Sequence, residues 1–292
     1  MIQTLLALAL VQASAPAAPL DVERLGGDVS VLVGTSCNVL ILPGDRDVLI
    51  VDDQRRSNFD ETMAGVRQVS GKPVRTVIDT HWHLDHSGGN GSFAAAGARI
   101  IAQRNVRVRR STEQFMAAYN AHIPADAPEA LPALVYDEKM VLREGGERVE
   151  LRHVANAHTD GDTLVRFRNA NVIAMGDVFF NHIWPFIDRS SGGSIQGMIK
   201  GVDAALAMAD EHTRIVPAHG PVATTAELRA YRDMLVDVAE KVKAGIKQGQ
   251  TVEQVISSHP AEAYRKGMEG EEDRFVEAVY DSLAHEDLHH RL

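Results

Sequence analysis

Short apolar runs of β-branched residues, broken by glycine, proline and aspartate, dominate the first third of the chain. Residues 31–33, 39–42 and 48–51 read as strands separated by Gly34, Pro43-Gly44 and Asp45. The period then changes. Phe59, Met63, Val66 and Val69 recur at helical spacing, which predicts a helix over 57–69, stopped by Gly71-Lys72-Pro73. Residues 74–79 form a further buried strand. Beyond it, 99–101, 140–142, 147–151, 163–167, 172–175 and 214–216 are strand candidates, and helices are predicted over 105–119, 195–209, 226–247 and 271–284. Thr251 and Gln254 make a capping-box pair that opens one more short helix. Strands thus come in two blocks, each followed by helices. That order predicts an α/β (α+β) chain in which two sheets pack together with helices outside, an αββα sandwich. Residues 20–292 are expected to form one domain that includes the C-terminal helices over 226–284. Leu228, Tyr231, Leu235, Val238 and Val242 keep core-facing spacing there.

Composition narrows the function. The chain has 292 residues, 45% of them hydrophobic, enough for a substantial core. Its net charge of -10 argues against nucleic-acid binding. The one basic cluster, residues 104–110, reads as the solvated face of a helix. Residues 5–11 are apolar but far short of the roughly 20 needed to span a bilayer. Ala13-Ser14-Ala15 follows with the small-x-small pattern of a signal-peptidase site. Residues 1–15 are therefore expected to be a signal peptide, and the mature protein periplasmic or secreted, with no membrane span. Cys37 is the only cysteine, so no internal disulfide can form, and its apolar surroundings mark it as a small core residue.

The chemistry concentrates in His81-Trp82-His83-Leu84-Asp85-His86. After a buried strand the backbone stays extended, so His81 and His83, two residues apart, point to the same side. Two imidazoles pointing one way supply half of a tetrahedral zinc site. Ser87-Gly88-Gly89-Asn90-Gly91 then turns the chain, which lets Asp85 and His86 face a second ion. Three more candidate ligands follow strands and have glycine nearby: His158, Asp177 and His219. His153 and His212 lack such a context and read as surface residues. His182 follows soon after Asp177 and, with Phe180, is a candidate for lining the substrate pocket.

His81-x-His83-x-Asp85-His86, followed in order by His158, Asp177 and His219 and preceded by the strand-end acid Asp52, resembles the metallo-β-lactamase superfamily over residues 32–221. The resemblance implies the four-layer αββα fold with two zinc ions at one edge. It gives His81, His83 and His158 to one ion and Asp85, His86 and His219 to the other. Asp177 would bridge them, and Asp52 would orient the site. Two such ions activate a shared water for attack on a carbonyl, with Asp85 orienting the nucleophile. The implied function is hydrolysis of an amide or ester in a small-molecule substrate, a β-lactam being favoured because export suits it. A lactone or a thioester on the same metals is the alternative, and a non-catalytic metal-binding or partner protein is an alternative of another class. β-Lactamases with a cysteine ligand carry it at the position of Asp177, with a substrate-holding lysine at the position of Phe180. Arg189, Ser190, Ser191 or Ser194 are candidates to hold a substrate carboxylate instead. The sequence does not set the oligomeric state.

Overall fold

The structure, a computed structural model, describes Leu20 to His289; the expected signal segment and the last three residues lie outside it. Two mixed sheets carry the fold. The first has seven strands in the order Val22–Gly26, Val29–Leu32, Val39–Pro43, Val48–Val51, Val74–Ile78, Arg99–Gln103, Leu134–Tyr136. The second has six: Lys139–Glu144, Glu147–Val154, Asp162–Phe167, Val172–Ala174, Arg214–Val216, Ala223–Thr224. Each sheet begins with antiparallel neighbours and turns parallel where helices intervene, at Val51↔Ile78 in the first and Ala174↔Val216 in the second.

Alternation along the strands makes the layers. Leu40, Leu42, Leu49, Val51 and Ile78 of the first sheet meet Val149, Leu151, Val165 and Phe167 of the second in a shared core. The opposite face of the first sheet, Val39, Ile41, Ile50 and Val77, is covered by Val66 of the helix Phe59–Val69 and by Phe93. Ile173 and Ile215 of the second sheet face the helices Ile195–Leu206, Thr225–Lys247 and Glu272–His289. The result is the expected αββα sandwich. The capping box at Thr251 and Gln254 is formed, and it opens the helix Val252–Ser257.

Three expectations change. The helix expected over 105–119 is only Arg104–Arg110; the chain then forms a hairpin, Gln114–Met116 against Ala121–Ile123. The run Ser111-Thr112-Glu113 offers no apolar stripe to bury, and Asn120 takes the left-handed conformation (φ 47) that reverses the chain. Nor is the basic cluster merely a solvated face. Arg104 pairs with Asp137 and Arg109 with Asp160, while Arg110 is 3% exposed and pairs with Asp126. His153 is half-buried and donates to the Asp162 carbonyl at 3.1 Å, whereas His212 is exposed as expected. Cys37 is the buried core residue expected, and burial pushes its thiol up to about 12.

Candidate metal centre

The seven candidate ligands all stand just beyond strand ends. His81 follows Val74–Ile78, His158 follows Glu147–Val154, Asp177 follows Val172–Ala174 and His219 follows Arg214–Val216. His83, Asp85 and His86 sit at the start of the one-turn helix Leu84–Ser87. Glycines make the close approach possible. Gly176 has φ 52, and a Cβ there would lie 2.8 Å from Thr80, so Asp177 is delivered over Thr80 only because residue 176 lacks a side chain.

The ligand atoms gather in two groups. His81, His83, His158 and Asp177 lie with their donor atoms within 4.8 Å of one another, and so do Asp85, His86 and His219. Asp177 joins the groups. Its Oδ2 is 3.4 Å from His158 Nε2 and 3.8 Å from His81 Nε2, while its Oδ1 is 3.4 Å from both His86 Nε2 and His219 Nε2. Asp85 Oδ2 completes the second group, 3.6 Å from His86 Nε2 and 3.4 Å from His219 Nε2.

The outward nitrogens of four imidazoles are each engaged, which fixes which nitrogen points inward. His81 Nδ1 faces Thr80 Oγ1 at 3.2 Å, His83 Nε2 faces Asp188 Oδ2 at 3.0 Å, His86 Nδ1 faces Asp52 Oδ2 at 2.9 Å, and His158 Nδ1 faces the Phe186 carbonyl at 2.8 Å. Each of those rings therefore donates outward and presents a lone pair inward. Asp52 also accepts from the Thr80 N–H and O–H, at 2.7 and 2.9 Å, so Asp52 ties the strand end before His81 to His86.

Inward, the pattern is one of unmet acceptors. His81 Nε2, His86 Nε2 and Asp177 Oδ1 are buried and make no hydrogen bond. Several lone pairs converging in a dry space repel one another and are stabilised together only by cations. This donor set of imidazoles and carboxylates fits zinc or a similar transition metal. The protonation tendencies follow from the same crowding. Burial, reinforced by the neighbouring imidazoles, holds His81 well below the ordinary range, and burial brings His158 down to about 4. Burial would also lower His86 and His219, but Asp177 and Asp85 outweigh it and raise both. Burial would raise Asp85, but His86 and His219 hold it well below the usual carboxylate range.

A pocket of about 630 Å³ opens over these groups. Its walls include Trp82, Leu84, Met116, Tyr119, Phe180, Trp184 and Phe186, with Arg55, Glu271 and Arg274 at polar positions. Phe180 lines it as expected and stacks on His219, ring centroids 5.8 Å apart. His182 is exposed and not on the pocket wall. Neither are Ser190, Ser191, Ser194 and Arg189. The backbone N–H and hydroxyl of Ser190 and the hydroxyl of Ser191 all donate to the Asp188 carboxylate, and Ser194 caps the helix Ile195–Leu206. Asp188 itself was missed by sequence reasoning. The hairpin Gln114–Met116/Ala121–Ile123, whose first strand falls within the span expected as helix, contributes Met116, Tyr119 and Ile123 to the pocket.

The metallo-beta-lactamase superfamily profile matches residues 24–219, and the chain belongs to that superfamily. Among curated proteins it is similar to the 2,4-dinitroanisole O-demethylase subunit alpha of Nocardioides sp. (strain JS1661), 28% identical over 163 residues, covering 54% of this chain and 46% of that one. It is also similar to the atrochrysone carboxyl ACP thioesterase of Aspergillus fumigatus, 35% identical over 72 residues, covering 24% of this chain and 23% of that one. The matches thus span less than half the length of either relative. Among solved structures, a metallo-beta-lactamase from Pontibacter korlensis shares the fold with a TM-score of 0.61 and 16% identity, over 75% of this chain and all of that one. The sec-alkylsulfatase Pisa1 from Pseudomonas sp. does so with a TM-score of 0.67 and 16% identity, over 90% of this chain and 50% of that one. Among the described residues no helix is long and apolar enough to cross a membrane.

Proposed function

We propose that this protein is an exported two-zinc hydrolase that opens an ester or amide bond in a small-molecule substrate, with a β-lactam as the first substrate to test. The observation that carries the reading is Asp177, whose two oxygens face separate groups of imidazoles at 3.4 to 3.8 Å. His81, His83 and His158 would hold one ion; Asp85, His86 and His219 would hold the other; Asp177 would lie between them. Bound there, the ions would supply Lewis acidity and bring a coordinated water toward ionisation at neutral pH.

The chain's own residues account for the rest. Asp85 is 24% exposed and faces both the second group and the open pocket. Its carboxylate would hold the attacking water by a hydrogen bond, orient it toward the substrate carbonyl, and later carry its proton to the leaving atom. The aromatic walls offer an apolar surface for the rest of the substrate. Asp52 and Asp188 hold His86 and His83 in the tautomers that leave a lone pair inward. Lactones and thioesters need the same groups and form the alternative substrate class, which the similarity to a thioesterase supports.

The test is zinc content together with turnover of nitrocefin, a γ-lactone and an acyl thioester by purified protein. Two zincs with turnover of any of the three supports the reading. Two zincs with turnover of none refutes it.

A further inference from the structure

Two features of the pocket stand apart from its metal-facing floor. Its walls are mostly apolar and ring-sized, and its cations are Arg55 and Arg274. Arg274 is already committed: it pairs with Glu271 at 3.0 Å and lies over the Tyr119 ring at 4.9 Å. Arg55 is exposed and has no acidic partner among the described residues.

Arg55 is also held firmly at its backbone. Asp52 and Gln54 both take left-handed conformations, with φ 61 and 64. A non-glycine residue holds that conformation only where surrounding bonds impose it. Here they do. The Asp53 N–H donates to the His86 carbonyl at 2.8 Å, and the Gln54 carbonyl accepts from Gly89 at 3.0 Å. The Gln54 side chain accepts from the Ser36 N–H at 2.9 Å and donates to Thr62 at 3.0 Å. The turn that aims Asp52 at His86 therefore also fixes where Arg55 emerges. That position is shared: Arg55 and Leu84 line both the metal-centre pocket and an adjoining cavity of about 620 Å³.

From this we infer that Arg55 is a specificity-determining residue that receives a carboxylate on a substrate whose apolar part lies along Phe180, Trp184 and Phe186. With Arg274 held by Glu271 and Tyr119, Arg55 is the arginine on this wall left to meet a substrate anion. A single guanidinium matches a monoanion, which it grips through two parallel N–H donors. The chemistry of this inference rests on the hydrolase reading; its binding component does not.

Two measurements separate them. Both tryptophans of the chain, Trp82 and Trp184, line the pocket, so intrinsic fluorescence reports ligand entry. Zinc-loaded protein is titrated with 4-phenylbutyrate and with 4-phenylbutan-1-ol. Arg55→Ala should weaken the carboxylate about tenfold more than the alcohol, and Arg55→Lys should restore part of the loss. Equal effects on both ligands, or none, overturn the inference. In parallel, the ratio of kcat/KM for 4-nitrophenyl hydrogen glutarate to that for 4-nitrophenyl pentanoate should fall about tenfold in Arg55→Ala, through KM. A fall shared equally by both esters overturns the inference. Selective loss of carboxylate binding in Arg55→Ala, with no turnover of either ester by the wild type, would count against the hydrolase reading alone.

Discussion

His83 Nε2 lies 3.0 Å from Asp188 Oδ2, on a carboxylate 105 residues further along the chain. His83 Nδ1, on the other side of the ring, is 2.9 Å from His158 Nε2, so Asp188 sets the direction in which a ligand imidazole looks. Asp188 is held in turn by Ser190 and Ser191, whose hydroxyls both donate to it. Burial would raise Asp188, but hydrogen bonding to His83 and the two serines holds it well below the usual carboxylate range.

Removing that orientation should loosen one ion without emptying the other site. Asp188→Ala is expected to weaken the zinc at His81, His83 and His158 by roughly 10–100-fold, as loss of an imidazole's carboxylate partner commonly does. Competition with a chromophoric chelator measures it. An unchanged affinity would remove Asp188 from the centre.

Asp177 and Asp85 should separate in a metal analysis. Asp177→Ala takes an oxygen from each group, so both ions should weaken and turnover should vanish. Asp85→Ala takes a ligand only from the second group; it should cost the second ion and nearly all turnover while the first ion remains. Zinc content by atomic emission distinguishes the patterns, and full activity in Asp85→Ala would rule out its assigned role.

Acid should strip the two sites in order. A metal displaces protons from its ligands, so a ligand with a raised pKa meets proton competition at higher pH. His86 and His219 are raised above the ordinary imidazole value, whereas His81 is depressed and His158 falls to about 4. As pH drops from 7 toward 5, the ion at Asp85, His86 and His219 should leave first. Simultaneous loss of both, followed by zinc content after equilibration at each pH, would contradict this order.

Metal removal should destabilise the fold. An ion that binds only the folded chain adds about 2.7 kcal/mol when its free concentration is 100 times Kd. Dialysis against a strong chelator should therefore lower Tm, and added zinc should restore it. Calorimetry that finds Tm indifferent to zinc would argue against a native metal centre.

The expected signal peptide has its own check. Protein recovered from the periplasm should begin at Pro16, after cleavage beyond Ala15. Intact-mass measurement that finds Met1 would refute cleavage there.

The seven ligand candidates were legible because ligand chemistry leaves dense marks: four potential ligands in six residues, then single His and Asp residues beside glycine after apolar runs. Strands were legible for the same local reason. Asp188 left no such mark. Its meaning lies in a contact across the fold, and Ile187-Asp188-Arg189 reads as an ordinary loop. Residues 105–119 read as helix, but the chain leaves the helix after Arg110 and reverses at Asn120 in the left-handed conformation, a turn that no apolar periodicity marks. Ser190 and Ser194 were credible anion holders until their hydroxyls were seen to be committed to Asp188 and to Asn156.

The ligands come from both halves of the sandwich, His81 to His86 from beyond the first sheet and His158, Asp177 and His219 from beyond the second. Neither half can assemble the centre alone. The shared core between the sheets must close before Asp177 can reach across, so a metal bound there would report a finished fold. A chain caught halfway to its native state would carry scattered imidazoles and carboxylates and no assembled centre.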